Sequence, residues 1–254
     1  MLERADDPYC GSPPVPADLL TAWNLDPALI AVMGLGFAAS LVAIHRSGID
    51  VARRRAWLIS GFLVLALAFL SPLCALSSAL FSARVVHHML LVAVAAPMLA
   101  IALPARAPVG AGWLGVATLA HILTLWVWHA PQPYAFALSS DLAYWIMEGT
   151  LMAAAFAFWR GVLAPCSPMA SVLFAHLTVI VQMGLLGALI TFAPAPLYAQ
   201  HFLATTPFGL TALEDQQVAG LVMWVPALVP YLLAALSGVI RLVGGEDARE
   251  GSAA

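Results

Sequence analysis

Imidazole and thioether side chains are embedded in stretches of this sequence that are otherwise apolar. One such stretch, "FSARVVHHMLLVAVAAPMLAIALP", spans residues 81–104 and begins with one arginine and two adjacent histidines. Polar side chains inside lipid are costly and tend to mark function. Soft sulfur ligands favour the cuprous ion, and imidazole serves either oxidation state of copper. The sequence therefore predicts a copper site, with candidate ligands His87, His88, His121, His129, His176, Met183 and Met223.

Helical spacing predicts which of these side chains share a face. Residues three, four or seven apart lie on one side of a helix. The pairs with this spacing are Arg84 and His88, Tyr144 and Glu148, His176 and Met183, and Gln216 and Met223. We expect these stripes to face the interior of a helix bundle. His129, His201 and Asp215 are expected to cover its outer half from the loops.

Two other interpretations of these residues stay open. His121 and His176 can form hydrogen bonds between helices, and membrane methionines commonly serve packing. Two histidines on different helices can also ligate haem iron, and His88 with His121 is the pair that depth allows. Haem is the weaker alternative to copper. The sequence contains no G-x-S-x-G, H-E-x-x-H or phosphate-loop motif, so we expect a protein that is not an enzyme.

The composition indicates an all-α integral membrane protein. Hydrophobic residues make up 63% of the 254 residues and charged residues only 9%, against about a quarter charged in soluble domains. The net charge of −3 is too small to suggest a nucleic-acid partner. The partner expected from composition is the lipid bilayer.

Seven segments are long and apolar enough to cross a bilayer. They are residues 27–45, 56–75, 85–103, 110–129, 142–163, 169–193 and 217–242. The predicted organisation is a polar tail over residues 1–26, a seven-helix domain over 27–243 and a second tail over 244–254. Alternating spans place eight of the ten arginines on one side. Because arginine-rich loops stay in the cytoplasm, the amino terminus is predicted to lie outside and the carboxyl terminus inside.

The three cysteines give a weaker indication. Cys10 and Cys74 both fall on the predicted outer side, where a disulfide is chemically permitted. Cys166 falls on the predicted cytoplasmic side, and no C-x-x-C motif occurs. The sequence favours simple packing of these side chains over a disulfide.

Four motifs carry a resemblance to a known family. "FSARVVHHMLLVAVAAPMLAIALP", "LWVWHAPQPYAFAL", "MGLLGALITFAPAPLYAQH" and "DQQVAGLVMWVPALV" resemble, in order and spacing, the polytopic CtaG family of caa(3)-type cytochrome c oxidase assembly factors. The resemblance covers residues 55–242. It implies a protein of the bacterial inner membrane that aids copper supply to the oxidase's catalytic subunit. The motif positions outside the candidate ligands are Pro131, Tyr134, Tyr198, Asp215, Gln216, Gln217, Gly220 and Trp224.

Arg84 departs from the family pattern, because many members carry a histidine at this position. Arginine stays protonated and cannot ligate a metal, so we expect either that His87 substitutes as a ligand or that the copper site is reduced to a transient one. The alternatives are a scaffold without metal, in which Arg84 pairs with Glu148 or Asp215, a copper or small-solute transporter, and a haem-binding membrane protein.

Overall fold

A computed structural model describes residues 8–104, 112–164 and 167–250. For residues 241–250 it describes the backbone only. This part of the chain is helical and has no strand. Its helices are α1 (Pro27–Ser47), α2 (Val51–Phe69), α3 (Pro72–Ala79), α4 (Phe81–Met89), α5 (Ala96–Ala102), α6 (Trp113–Trp128), α7 (Pro131–Ala137), α8 (Asp141–Val162), α9 (Met169–Thr191), α10 (Ala212–Trp224) and α11 (Val229–Glu250). A π-helical segment, Leu90–Ala95, joins α4 to α5. The predicted all-α class is confirmed.

The helices are those of a multi-pass membrane protein. Five helical segments in the described ranges are long and apolar enough to cross a bilayer, and two bent pairs raise the number to seven if each pair is one span. The bent pairs are α2 with α3, at 45°, and α6 with α7, at 83°. The predicted count of seven spans agrees with the upper number, and the orientation of the termini stays a prediction.

Several predicted spans are interrupted where proline removes a backbone donor. Pro97 lies at the start of α5, directly after the π-helical segment, and Pro226 begins a short turn between α10 and α11. Proline cannot donate to the carbonyl four residues before it, so the ladder of hydrogen bonds must shift at these points. The sequence predicts these bends.

Two glycines let α9 and α10 pack closely. A Cβ atom added to Gly220 would lie 2.6 Å from the carbonyl oxygen of Gly187. No side chain fits at that distance, so the two backbones approach only because both residues are glycine. This contact fixes the position of α10 against α9. The first turn of α10 in turn reaches α4.

The segment before α1 is folded onto one end of the bundle. Cys10 and Cys74 form a disulfide with their Cα atoms 5.2 Å apart, which corrects the expectation of simple packing. The Tyr9 ring stacks on Tyr144 with centroids 5.0 Å apart. The Asn24 amide donates to the Leu70 carbonyl over 3.0 Å. Cys166 lies outside the described residues.

Candidate functional site

Three basic side chains of α4 surround one carboxylate of α8. Glu148 Oε1 lies 3.5 Å from an Arg84 guanidinium nitrogen, 3.2 Å from His88 Nε2 and 3.7 Å from His87 Nε2. All four side chains are at most 1% exposed. We call these four residues the Glu148 cluster. The stripe containing Arg84 and His88 and the stripe containing Glu148 therefore face each other in the interior of the bundle, whereas the helical spacing predicts only that each faces inward.

The negative charge of Glu148 compensates the positive charge of Arg84, which cannot be removed by deprotonation. Arginine stays protonated in proteins, and an isolated buried charge is strongly unfavourable. The ion pair between Arg84 and Glu148 and the placement of Arg84 5.3 Å from the centre of the Tyr144 ring both reduce that cost. Arg84 is thus held by an acidic partner, the pairing expected for a scaffold.

Several atoms of the Glu148 cluster have no hydrogen-bond partner within the described part of the chain. They are Arg84 Nε and Nη2, His87 Nδ1 and Nε2, His88 Nδ1 and Glu148 Oε2. Buried polar groups are normally satisfied, and each exception needs an explanation. Such a concentration of unsatisfied donors and acceptors is typical of a place that binds water, an ion or a partner's polar group.

His129 adds a second imidazole beside His88. The two rings are perpendicular, with centroids 5.3 Å apart. His129 Nδ1 lies 2.8 Å from the Leu125 carbonyl, which can only accept, so Nδ1 carries the proton and Nε2 is a free acceptor. That Nε2 is buried and without a partner in the described residues. The Tyr198 hydroxyl donates to the His129 carbonyl over 2.7 Å and fixes the backbone.

These two imidazoles fit a soft cation better than a hard one. His88 donates to Glu148 through Nε2, which leaves Nδ1 as its free nitrogen. Two imidazole nitrogens suit the cuprous ion, which forms stable two-coordinate complexes, whereas hard cations need several oxygens. Across the described ranges, no group of three or more His, Cys, Asp or Glu side chains is arranged to hold a metal. Any metal bound here would therefore be held by few ligands.

His121 and His176 lie in a separate aromatic cluster. His121 Nε2 is 2.8 Å from the Tyr231 hydroxyl, and the His121 ring stacks on Phe158. His176 Nδ1 donates to the Val172 carbonyl over 2.9 Å. His88 lies against His129 and His121 lies against Tyr231, and haem binding by His88 and His121 stays a prediction.

Asp215 positions α4 and is not free to bind a ligand. It accepts hydrogen bonds from the Phe81 amide, over 2.6 Å, and from the Ser82 amide, over 3.2 Å, as well as from the Ser82 hydroxyl. These are backbone donors of the first turn of α4, which have no partner inside the helix. Asp215 therefore caps α4, and of the two expected partners of Arg84 it is Glu148 that forms the ion pair.

His201 is also committed to structural hydrogen bonds. Its Nδ1 lies 3.1 Å from the Ala79 carbonyl and its Nε2 lies 2.8 Å from the Tyr134 hydroxyl. Burial lowers the pKa of His201 to about 4, so the ring is neutral at physiological pH. These hydrogen bonds anchor the loop before α10.

The remaining predicted positions line the contact of α9 with α10. Gln216 accepts from the Leu197 amide over 2.6 Å and donates to the Ile190 carbonyl over 3.1 Å. Gln217 is half-buried and Trp224 is exposed. Met183 and Met223 are buried in the core. Within the described residues, no hydrogen bond joins a methionine sulfur to a histidine.

Sequence reasoning missed two residues of these clusters. Tyr231, which contacts His121, lies in an apolar helix without any spacing that links it to a histidine. Ser82, which donates to Asp215, lies two residues before Arg84. In an apolar stretch, a neutral serine is a weaker signal than the charged arginine beside it. A serine at the second position of a helix that lacks a side-chain cap of its own could have indicated a partner from elsewhere.

The comparison with known proteins identifies the family. A family model described as cytochrome c oxidase caa3 assembly factor matches residues 35–112 and 114–244. No curated protein and no solved structure matches the chain. The match spans most of the 254 residues. The chain therefore belongs to the family of cytochrome c oxidase caa3 assembly factors.

Proposed function

We propose that this protein, in the bacterial inner membrane, holds a cuprous ion transiently between His88 and His129 and supplies it to the catalytic subunit of a caa3-type oxidase. The observation that carries the proposal is the contact of these two rings, 5.3 Å apart and fully or nearly fully buried, each with one nitrogen that has no partner in the described chain. The family supports a role in assembling the oxidase.

The surroundings of the two imidazoles favour binding that is reversible. The Glu148 carboxylate lies 3.2 Å from His88 Nε2, and its charge raises the affinity of the imidazole for a cation. The charge of Arg84, on the same carboxylate, opposes a second positive charge. A donor must release its ion, and a site with two ligands beside a fixed arginine loses copper readily to a partner that offers more ligands.

Transfer requires no covalent intermediate. A ligand of the oxidase subunit replaces one imidazole of the donor and then the other, so the ion is never free in water. His87 has both ring nitrogens without partners in the described residues and is the nearest additional imidazole for an ion in transit.

A scaffold without metal is the second candidate, and the Arg84–Glu148 ion pair favours it. In this pair the buried charges of Arg84 and Glu148 compensate each other without any ion. On this account the bundle holds a nascent oxidase subunit by helix packing alone. The partner would then contact the membrane-facing sides of the helices.

Titration of the purified protein with cuprous ion under anaerobic conditions separates the two candidates. We expect one ion to bind to the wild type, and at least a tenfold loss of affinity in both His88→Gln and His129→Gln. Glutamine at position 88 can still donate to Glu148, so the ion pair is kept. His45→Gln, at an exposed histidine at the end of α1, is the matched control and should bind as the wild type does. No binding by the wild type would support the scaffold, and equal binding in all four proteins would contradict the site at His88 and His129.

A further inference from the structure

We propose that Cys10 and Cys74, once their disulfide is reduced, form a dithiolate site that receives the cuprous ion before it reaches the histidines. The inference rests on the proposed function, which it extends by naming where the cargo enters. The two cysteines come from separate parts of the chain, 64 residues apart, and their Cα atoms lie 5.2 Å from each other. Soft thiolate pairs are preferred ligands of the cuprous ion.

Two hydrogen-bond donors lie beside the two sulfur atoms. The Tyr144 hydroxyl lies 3.5 Å from Cys10 Sγ, and the Asn24 side-chain amide lies 3.8 Å from Cys74 Sγ. A disulfide is a poor acceptor and gains little from such donors. A thiolate gains much more, because donors to an ionised group stabilise its charge. The surroundings therefore fit the reduced, metal-binding form of the pair.

Cys10 borders a cavity on one side and contacts Tyr144, a neighbour of the Glu148 cluster, on the other. The cavity has a volume of about 710 Å³, its lining includes Asp26 and Asp141, and Cys74 is buried behind Cys10. Negative charge at a cavity mouth raises the local concentration of cations. On the inner side, Tyr144 contacts Cys10 and lies beneath Arg84 at 5.3 Å. Tyr144 is therefore the residue that links the sulfur pair to the Glu148 cluster.

A dithiol can supply the two electrons that reduce the Cys10–Cys74 disulfide. Its first thiolate attacks one sulfur of the Cys10–Cys74 bond, its second thiol closes a new disulfide in the reductant, and two electrons and two protons pass to the two cysteines. When the cuprous ion binds, both thiols release their protons to water and two copper–sulfur bonds form.

The test compares copper binding by the reduced and oxidised protein in a Cys166→Ser background. A water-soluble phosphine reduces the disulfide and is removed before anaerobic titration with cuprous bicinchoninate. We expect the reduced protein to bind one more ion per chain than the oxidised protein, with thiolate-to-copper absorption in the ultraviolet. Cys10→Ser and Cys74→Ser should each abolish the additional ion. Equal stoichiometry in the reduced and oxidised protein would overturn the inference.

Two controls keep the outcomes distinct. Alkylation of the reduced wild type with N-ethylmaleimide should also remove the additional ion, which tests the thiols even if a serine variant fails to fold. The His88→Gln, His129→Gln double variant should keep the additional ion while it loses the ion of the histidine site. Retention of both ions in that variant would contradict the proposed function and leave the cysteine site standing.

Discussion

Glu148 sets the electrostatic balance of the site at the scale of single residues. Arg84, His87 and His88 lie within 3.7 Å of one of its oxygens. Helical spacing predicted that Arg84, His88 and Glu148 face inward, because the period of a helix is fixed. Which imidazole would meet which could not be predicted, since it depends on the rotation of each helix and on bends that the pattern of apolar residues does not encode.

Replacing Glu148 by glutamine is expected to destabilise the protein strongly. The change leaves Arg84 buried with no compensating charge in the described residues, and removing one partner of a buried ion pair costs about 3–5 kcal/mol. Thermal unfolding in detergent measures the effect. Asp50→Asn, which breaks an exposed ion pair with Arg53, should change stability by less than about 1 kcal/mol. Similar melting temperatures for both variants would show that Glu148 is not needed to hold Arg84.

His201 is expected to make the folded protein sensitive to acid. Its pKa falls from an ordinary value near 6.5 to about 4, chiefly because of burial, so the unfolded chain binds more protons between these values. Stability is therefore full above pH 6.5, falls as the pH decreases through this window, and levels off below pH 4. The contribution is about 3 kcal/mol. His201→Gln should flatten the dependence of the melting temperature on pH between 6.5 and 4; an unchanged slope would contradict the assignment.

The position of the site depends, at the scale of helices, on how α4 and α6 begin and end. Asp215 of α10 holds the start of α4, and the 83° bend after α6 places His129 beside His88. Prolines at positions 97, 131 and 226 mark breaks that can be predicted from the sequence. The π-helical segment after α4 could not be predicted, because its registry shift is set by packing against neighbouring helices as much as by Pro97.

Removing the Asp215 carboxylate is expected to loosen α4 and the site it carries. Asp215→Ala leaves the amides of Phe81 and Ser82 without an acceptor, at a cost of about 2 kcal/mol. Hydrogen exchange should become faster in residues 81–88 and thermal stability should decrease. Asp18→Ala is the matched control, because Asp18 is exposed and makes no side-chain cap hydrogen bond. Unchanged exchange in α4 would contradict the capping role.

Composition and hydropathy predicted the architecture of the whole molecule. A chain that is 63% hydrophobic and 9% charged can fold stably only with its apolar faces in lipid, and the helical segments followed from that. The folding of residues 8–26 onto the bundle could not be predicted, because the Cys10–Cys74 bond joins residues far apart in the chain. Local patterns carry no signal for such a contact.

Copper content of the mature oxidase tests the account most directly. In cells that lack this protein, we expect reintroduction of the wild type or His45→Gln to restore a caa3-type oxidase with its full copper complement. The His88→Gln, His129→Gln double variant should yield oxidase with at least tenfold less copper, although the variant itself accumulates in the membrane to a normal level. Full copper content of the oxidase in cells carrying the double variant would contradict the claim that these two histidines supply the metal.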